Sequence, residues 1–262
     1  MTEAFSDEQR TILETVPVRP AARIETEGVL YEHVAASGER TELEGYLAHD
    51  AALTGPRPAV LIVHDWTGVG PNVQMRAQML ARLGYVALAA DIYGKGVRPT
   101  GEAASAEARK YYADLSLLRE RVQAGYQRLA ADPRVDPKRI AVMGYCFGGS
   151  AALEFARTGA PVRGVVSFHG VLIAHEPSDA SAIRASLLVL TGAADPAVPD
   201  AALDAFKDEL RAVPALDWQV VSYSGAPHAF TVPGSDRYRP VADVRSWRAL
   251  VDFLAEVLAV GP

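Results

Sequence analysis

One short stretch of the chain combines a reactive side chain with a backbone that could present it. Residues 139–145 are an apolar run of strand length, and residues 151–157 have a helical composition. Between them, Gly144-Tyr145-Cys146-Phe147-Gly148 matches the Gly-x-Ser-x-Gly nucleophile elbow, with sulfur in place of oxygen. An abrupt turn from strand to helix exposes the central side chain, and the helix N-terminus favours a thiolate there. The pattern predicts a nucleophilic Cys146; the alternative is a buried structural cysteine beside a glycine-rich turn.

Two further polar side chains follow predicted strands downstream of this elbow. Asp195 comes shortly after the apolar run 187–190, and His228 lies in the loop 224–230 that follows the last predicted strand. Taken alone, Asp195 could be an Asx-turn residue and His228 an incidental loop histidine. The order Cys146, Asp195, His228 is, however, the chain order of the triad in α/β-hydrolases. Because parallel strands present their carboxyl ends at one edge, we predict that the three side chains meet there.

The rest of the chain contains the alternating elements that such a site requires. A short helix is predicted over Asp7–Thr15, and strands over Val29–Ala35 and Thr41–Ala48 predict an antiparallel hairpin. Beyond it, strands are predicted over 59–64, 85–90, 139–145, 162–168, 186–190 and 217–223, and helices over 72–83, 117–131, 201–212 and 241–258. This alternation is typical of the α/β class and predicts a mostly parallel central sheet with helices on both faces; together with the order of the triad it indicates an α/β-hydrolase fold. We expect an N-terminal arm over residues 1–26 and a single domain over residues 27–262.

The composition of the chain argues against nucleic-acid, metal and membrane partners. The net charge of −6 over 262 residues argues against a nucleic-acid surface, and the six histidines have no metal-ligand spacing. One cysteine cannot form an internal disulfide, and the N-terminal residues resemble no signal peptide. No apolar run reaches the length that spans a membrane. We therefore expect a cytoplasmic protein with a small-molecule substrate and without a metal, cofactor, nucleic-acid or membrane partner; a homodimer is compatible with these features.

The motifs together resemble the dienelactone hydrolase family. The resemblance is carried by residues 144–149, 191–195 and 227–230, is supported by 64–68 and 84–94, and extends over about residues 28–258. It implies that Cys146 is the nucleophile, His228 the base and acid, and Asp195 the carboxylate that orients the histidine. It also implies a reaction that needs no cofactor.

The loop after the third predicted strand is expected to contribute to the same site. In this fold one oxyanion-hole N–H follows the nucleophile and the other comes from that loop, which assigns them to Phe147 and Trp66. The resemblance places a thiol-gating acid at Asp65, where the best-studied relatives have glutamate. Relatives that cleave dienelactone hold its carboxylate with arginines, one of them four residues beyond the catalytic histidine. That position is Val232 here, so we expect a less anionic ester or lactone and a pocket with apolar and aromatic lining. The candidates for that pocket are Tyr93, His169, Phe230 and Arg237.

The function predicted from the sequence is hydrolysis of a small ester or lactone through a covalent acyl-cysteine. A general carboxylesterase or thioesterase on small acyl substrates would use the same residues. A binding protein that retains the scaffold without turnover is the third alternative.

Overall fold

The computed structural model describes residues 5–175 and 178–259. Its strands are β1 (Ile24–Val34), β2 (Arg40–Asp50), β3 (Arg57–Val63), β4 (Val86–Ala90), β5 (Val135–Tyr145), β6 (Gly164–Phe168), β7 (Ser186–Gly192) and β8 (Trp218–Tyr223). Its α-helices are α1 (Asp7–Glu14), α2 (Pro71–Arg82), α3 (Gly101–Ala113), α4 (Leu115–Ala130), α5 (Phe147–Ala156), α6 (Asp200–Arg211) and α7 (Pro240–Val257). The chain divides into two compact units, Met1–Ile140 and Ala141–Pro262, with the boundary inside β5. The proposal of a single domain over 27–262 stays a prediction.

In the first unit, four strands lie in the order β1-β2-β4-β3. β1 and β2 form the predicted antiparallel hairpin, β2 is antiparallel to β4, and β4 is parallel to β3. All five residues of β4 are buried, as expected for a strand that is covered on both faces. The arrangement brings the loops that follow β3 and β4 to one edge of the sheet.

In the second unit, β5, β6, β7 and β8 are neighbours in that order and are all parallel. Tyr145 pairs with Phe168, Phe168 with Leu190, and Gly192 with Tyr223, so the carboxyl ends of the strands are aligned. The parallel alternation of strands and helices that the sequence predicts is confirmed here. The loops after β5, β6, β7 and β8 therefore emerge side by side.

The N-terminal helix is fixed at both ends. Ser6 and Gln9 form a capping box at its start, in which each side chain bonds the backbone N–H of the other residue. Near its end, Arg82 of α2 donates to the carbonyls of Leu13 and Val16. The predicted arm is thus tied to α2 by hydrogen bonds.

Two strand starts were predicted wrongly, and one helix was missed. β1 begins at Ile24, inside the predicted arm; the sequence did not indicate this start because the first half of the strand is mostly exposed and has no apolar alternation. α3 was missed because only Ala104, Ala108 and Tyr111 are buried in it, and two alanines give little hydrophobic periodicity. β5 begins at Val135, four residues before the predicted start at residue 139. Pro137 lies in its first part, residues 135–140, which precedes the residues that pair with β6.

No helix in the described part of the chain is long and apolar enough to cross a membrane. Within residues 5–175 and 178–259, no group of three or more His, Cys, Asp or Glu side chains could hold a metal ion.

Candidate active site

Cys146 occupies a strained turn between β5 and α5. It is the N-cap residue of α5 and has φ 55° and ψ −115°, a conformation that non-glycine residues rarely adopt. A Cβ atom on Gly144 would lie 2.0 Å from the carbonyl oxygen of Gly148, so strand and helix approach each other more closely than any side chain at position 144 permits. The elbow geometry predicted from the glycine spacing is therefore present. Its effect is to leave the Cys146 side chain partly exposed at the N-terminus of α5.

The His228 imidazole lies between the sulfur and a carboxylate. Its Nε2 is 3.0 Å from Cys146 Sγ, and its Nδ1 is 2.9 Å from Asp195 Oδ2. The side chain of His228 is 17% exposed, whereas that of Asp195 is fully buried. The structure thus brings together the three side chains that the sequence selected.

Backbone hydrogen bonds set the distance between the acid and the histidine. The N–H of Ala193 donates to Tyr223 O at 2.9 Å, and the N–H of Ala194 donates to Ala226 O at 3.0 Å. Gly192 allows this approach, because a Cβ there would lie 2.2 Å from Ala226 O. The loops that carry Asp195 and His228 are therefore joined along their main chains.

The Asp195 carboxylate is oriented by a second contact. Its Oδ1 accepts the N–H of Ala197 at 2.8 Å, which leaves Oδ2 for His228. This contact with the N–H two residues on is the Asx turn that the sequence offered as the alternative interpretation of Asp195, and it accompanies the contact with His228.

The protonation of His228 follows from these contacts. Burial lowers the pKa of His228, but its hydrogen bonds to Asp195 and Cys146, together with the negative charge of these partners, raise it by more. The result is a pKa of about 10 against an ordinary 6.5. At neutral pH the imidazole therefore carries two protons and a positive charge. That form can donate one hydrogen bond to Asp195 and the other to the sulfur.

Two residues predicted to line a substrate pocket are buried beside the triad. His169 and Phe230 are 1% and 0% exposed, and their rings meet edge to face with centroids 5.3 Å apart. His169 contacts His228 in the same way, also at 5.3 Å. A direct contact of either ring with a substrate stays a prediction, and the contacts that the structure describes are with the site itself. Arg237, the candidate cation, is exposed on the loop after His228.

The other predicted site residues belong to the first unit. Asp65 Oδ1 accepts the backbone N–H of Thr67 at 2.9 Å and also its hydroxyl, so one carboxylate oxygen is used within its own turn. Trp66 is 39% exposed, and its carbonyl accepts the hydroxyl of the buried Tyr93 at 3.1 Å. The gating role of Asp65 and the oxyanion-hole roles of Trp66 and Phe147 stay predictions.

His64 connects the two loops of the first unit. Its Nε2 accepts the N–H of Ile92 at 3.1 Å, so its Nδ1 carries the proton and donates to the carbonyl of Asp65 at 2.6 Å. Burial lowers the pKa of His64, which agrees with this neutral tautomer. The residue thus holds the loop that carries Asp65 and Trp66.

The chain is similar in sequence to several known proteins. The model of the dienelactone hydrolase family matches residues 43–258, beginning later than the 28 expected from the motifs. A protein of Yersinia pestis with the provisional name carboxymethylenebutenolidase is 25% identical, with 89% of this chain and 91% of that protein covered. One of Bradyrhizobium, provisionally named 2-oxo-3-(5-oxofuran-2-ylidene)propanoate lactonase, is 29% identical over 80% of this chain and 87% of its own length.

A solved structure agrees with these sequence matches. A dienelactone hydrolase-like promiscuous phosphotriesterase from metagenomic libraries superposes with a TM-score of 0.83 at 36% identity, covering 90% of this chain and 99% of that one. The α/β-hydrolase fold predicted from the sequence is confirmed. With a family model matched over most of its length, the chain belongs to the dienelactone hydrolase family and is a hydrolase of the class that acts on esters and lactones.

Proposed function

We propose that this hydrolase cleaves its small ester or lactone through an acyl-cysteine on Cys146, with His228 and Asp195 completing the triad. The observation that carries the proposal is the position of His228, within hydrogen-bond distance of both the sulfur (3.0 Å) and the Asp195 carboxylate (2.9 Å). A nucleophile, a base and a group that orients the base are the components that covalent acyl transfer requires.

Acylation uses the contact between His228 and Cys146. The sulfur attacks the substrate carbonyl as a thiolate while its proton is held on His228 Nε2, 3.0 Å away. The tetrahedral oxyanion forms beside the N-terminus of α5, whose dipole stabilises negative charge. When the intermediate collapses, the carbon–oxygen bond to the leaving group breaks and the leaving oxygen takes the proton from His228 Nε2. The products of this step are the alcohol and a thioester on Cys146; from a lactone, both remain in one molecule.

Deacylation reverses the proton transfer. The neutral His228 now takes a proton from a water molecule, whose oxygen attacks the thioester carbonyl. Collapse of the second tetrahedral intermediate breaks the carbon–sulfur bond and releases the acid. The thiolate and the protonated imidazole are restored, while Asp195 keeps the ring in the tautomer that presents Nε2 to the sulfur.

The covalent intermediate provides the direct test. Mixed with p-nitrophenyl acetate and quenched in acid within the first turnovers, the protein is expected to gain the mass of one acetyl group on the peptide that contains Cys146. Prior treatment with iodoacetamide should abolish both the adduct and the release of p-nitrophenol, since the chain has one cysteine. Turnover without any adduct, or with the adduct on another residue, would contradict the acyl-cysteine route. Absence of turnover on ester, lactone and thioester substrates would favour the binding-protein alternative.

The raised pKa of His228 also predicts how stability depends on pH. Between pH 6.5 and about 10 the folded protein holds a proton on this ring that the unfolded chain has lost. The contribution of His228 to the free energy of unfolding is therefore complete below about pH 6.5 and is lost as the pH rises through 10. Urea unfolding of wild type and His228→Gln should show a difference in stability that is largest at pH 6 and shrinks towards pH 10. A difference that does not change with pH would show that His228 is not held protonated by its partners.

A further inference from the structure

We infer that His169 and Thr231 form a positioning pair that fixes the nucleophile relative to the catalytic histidine. The inference rests on the proposed triad and assigns a task to two residues beyond it. His169 follows β6 directly and Thr231 lies three residues after His228. Neither residue is catalytic, because the atoms that react belong to Cys146, His228 and the substrate.

The tautomer of His169 is dictated by its neighbours. The backbone N–H of Cys146 is shared between two acceptors, the carbonyl of Phe168 at 2.9 Å and Nδ1 of His169 at 3.2 Å. Since Nδ1 accepts a hydrogen bond, it carries no proton, and the neutral ring must carry its proton on Nε2. That Nε2 lies 2.8 Å from Oγ1 of Thr231, so His169 donates to the hydroxyl. One buried ring therefore links the nucleophile's own backbone to the loop of the histidine.

Packing reinforces this link on the side of His228. The His169 ring meets the rings of His228 and Phe230 edge to face, with interplanar angles of 65° and 75°. Thr231 is fully buried, so its hydroxyl is shielded from bulk water. A displacement of His169 would thus move both the residue that carries the sulfur and the loop that carries the imidazole.

The backbone at His169 has a strained conformation that its neighbours hold in place. The residue has φ 43°, a left-handed conformation that costs free energy for any side chain with a Cβ. Its N–H donates to the carbonyl of Leu190 at 2.8 Å, which anchors the turn to β7. Gly149 and Gly170 let the turn pack against the start of α5, because a Cβ on Gly170 would lie 2.6 Å from the N–H nitrogen of Ser150. The strained turn directs the imidazole towards the elbow.

The test removes the acceptor without changing the shape of the side chain. Thr231→Val is expected to lower kcat on p-nitrophenyl acetate about tenfold or more, because errors well below 1 Å in a reacting pair are costly, while KM stays within about twofold. The rate of Cys146 alkylation by iodoacetamide at pH 7 should fall with it. Thr231→Ser, which restores an oxygen, should recover most of both rates.

Thr191→Val is the matched control. Thr191 is a buried threonine in β7 whose hydroxyl has no hydrogen-bond partner among the residues that the structure describes, so its loss should leave kcat and alkylation unchanged. Equal losses of rate in the two valine variants, or no loss in Thr231→Val, would overturn the inference. In protein labelled with ¹⁵N-histidine, a neutral His169 ring protonated on Nε2 is the expected signal, and protonation on Nδ1 would also overturn it. If wild type hydrolyses no ester, the proposed function fails, but the alkylation rates and the tautomer still decide whether the pair positions the thiol.

Discussion

Replacement of Cys146 or His228 by alanine is expected to reduce kcat/KM on an ester by at least about 10⁴-fold in each case. The double variant should be scarcely worse than either single variant. The reason is that the 3.0 Å contact between His228 Nε2 and Cys146 Sγ makes the two side chains one functional unit, so either replacement removes the same step. Initial rates for the four proteins, at equal concentrations of folded protein, measure the coupling. Losses that multiply would show that the two residues act in separate steps.

A second histidine–carboxylate pair supplies the control for this experiment. His33 is buried and its Nε2 lies 3.0 Å from Glu120 Oε2, much as His228 pairs with Asp195, but its pair contains no sulfur. His33→Ala should lower the free energy of unfolding, since the buried imidazole and its contact with Glu120 are lost. It should leave kcat/KM within about twofold at a temperature where the variant is folded. A loss comparable to that of His228→Ala would mean that damage to a histidine pair, rather than loss of the triad, lowers the rate.

Gly144→Ala is expected to prevent the elbow from forming. The new Cβ would have to lie 2.0 Å from one backbone oxygen and 2.2 Å from its carbon, so the strand or the helix itself must move by about an ångström. We expect a loss of about 3 kcal/mol or more from the free energy of unfolding, a large share of the 5–15 kcal/mol typical of a domain. Thermal and urea unfolding followed by circular dichroism measure it, and little soluble protein is an expected accompaniment.

Gly28→Ala shows what an alanine costs where there is room. Gly28 lies in β1, and the nearest atom to its added Cβ is an oxygen of the Glu44 side chain at 3.7 Å, an ordinary contact. The free energy of unfolding of the Gly28→Ala variant should differ from that of wild type by less than about 1 kcal/mol. If Gly144→Ala were equally mild, the close approach of β5 and α5 would not be a requirement of the turn.

The sequence identified those candidate site residues that have both a reactive side-chain type and a position directly after a predicted strand. Cys146, Asp195 and His228 were found because each follows a strand in a parallel sheet, and the register of β5 to β8 aligns those strand ends. The hairpin was found from its turn residues. Such signals depend on residue type and on spacing, which a sequence displays directly.

What sequence reasoning missed depends on the direction of side chains and on the main chain. The assignment of His169 to a substrate pocket stays a prediction, but the sequence could not show that a left-handed backbone turns its ring towards Cys146 and Thr231. For Asp195 the Asx turn and the contact with His228 were treated as alternatives, but the carboxylate makes both, one with each oxygen. α3 was missed for a related reason, since alanines that pack closely against a neighbour look like alanines at a surface.

The main-chain hydrogen bonds between the loop that carries Asp195 and the loop that carries His228 determine which residues of these loops can be replaced. Every residue except proline offers the same N–H and C=O, so the exposed Ala193 and Ala194 can be exchanged for other residues without separating Asp195 from His228. Gly192 cannot, because the Ala226 carbonyl occupies the place of its side chain. Distant relatives should therefore be sought with a pattern that requires the glycine and the aspartate three residues later, and that leaves the alanines unspecified.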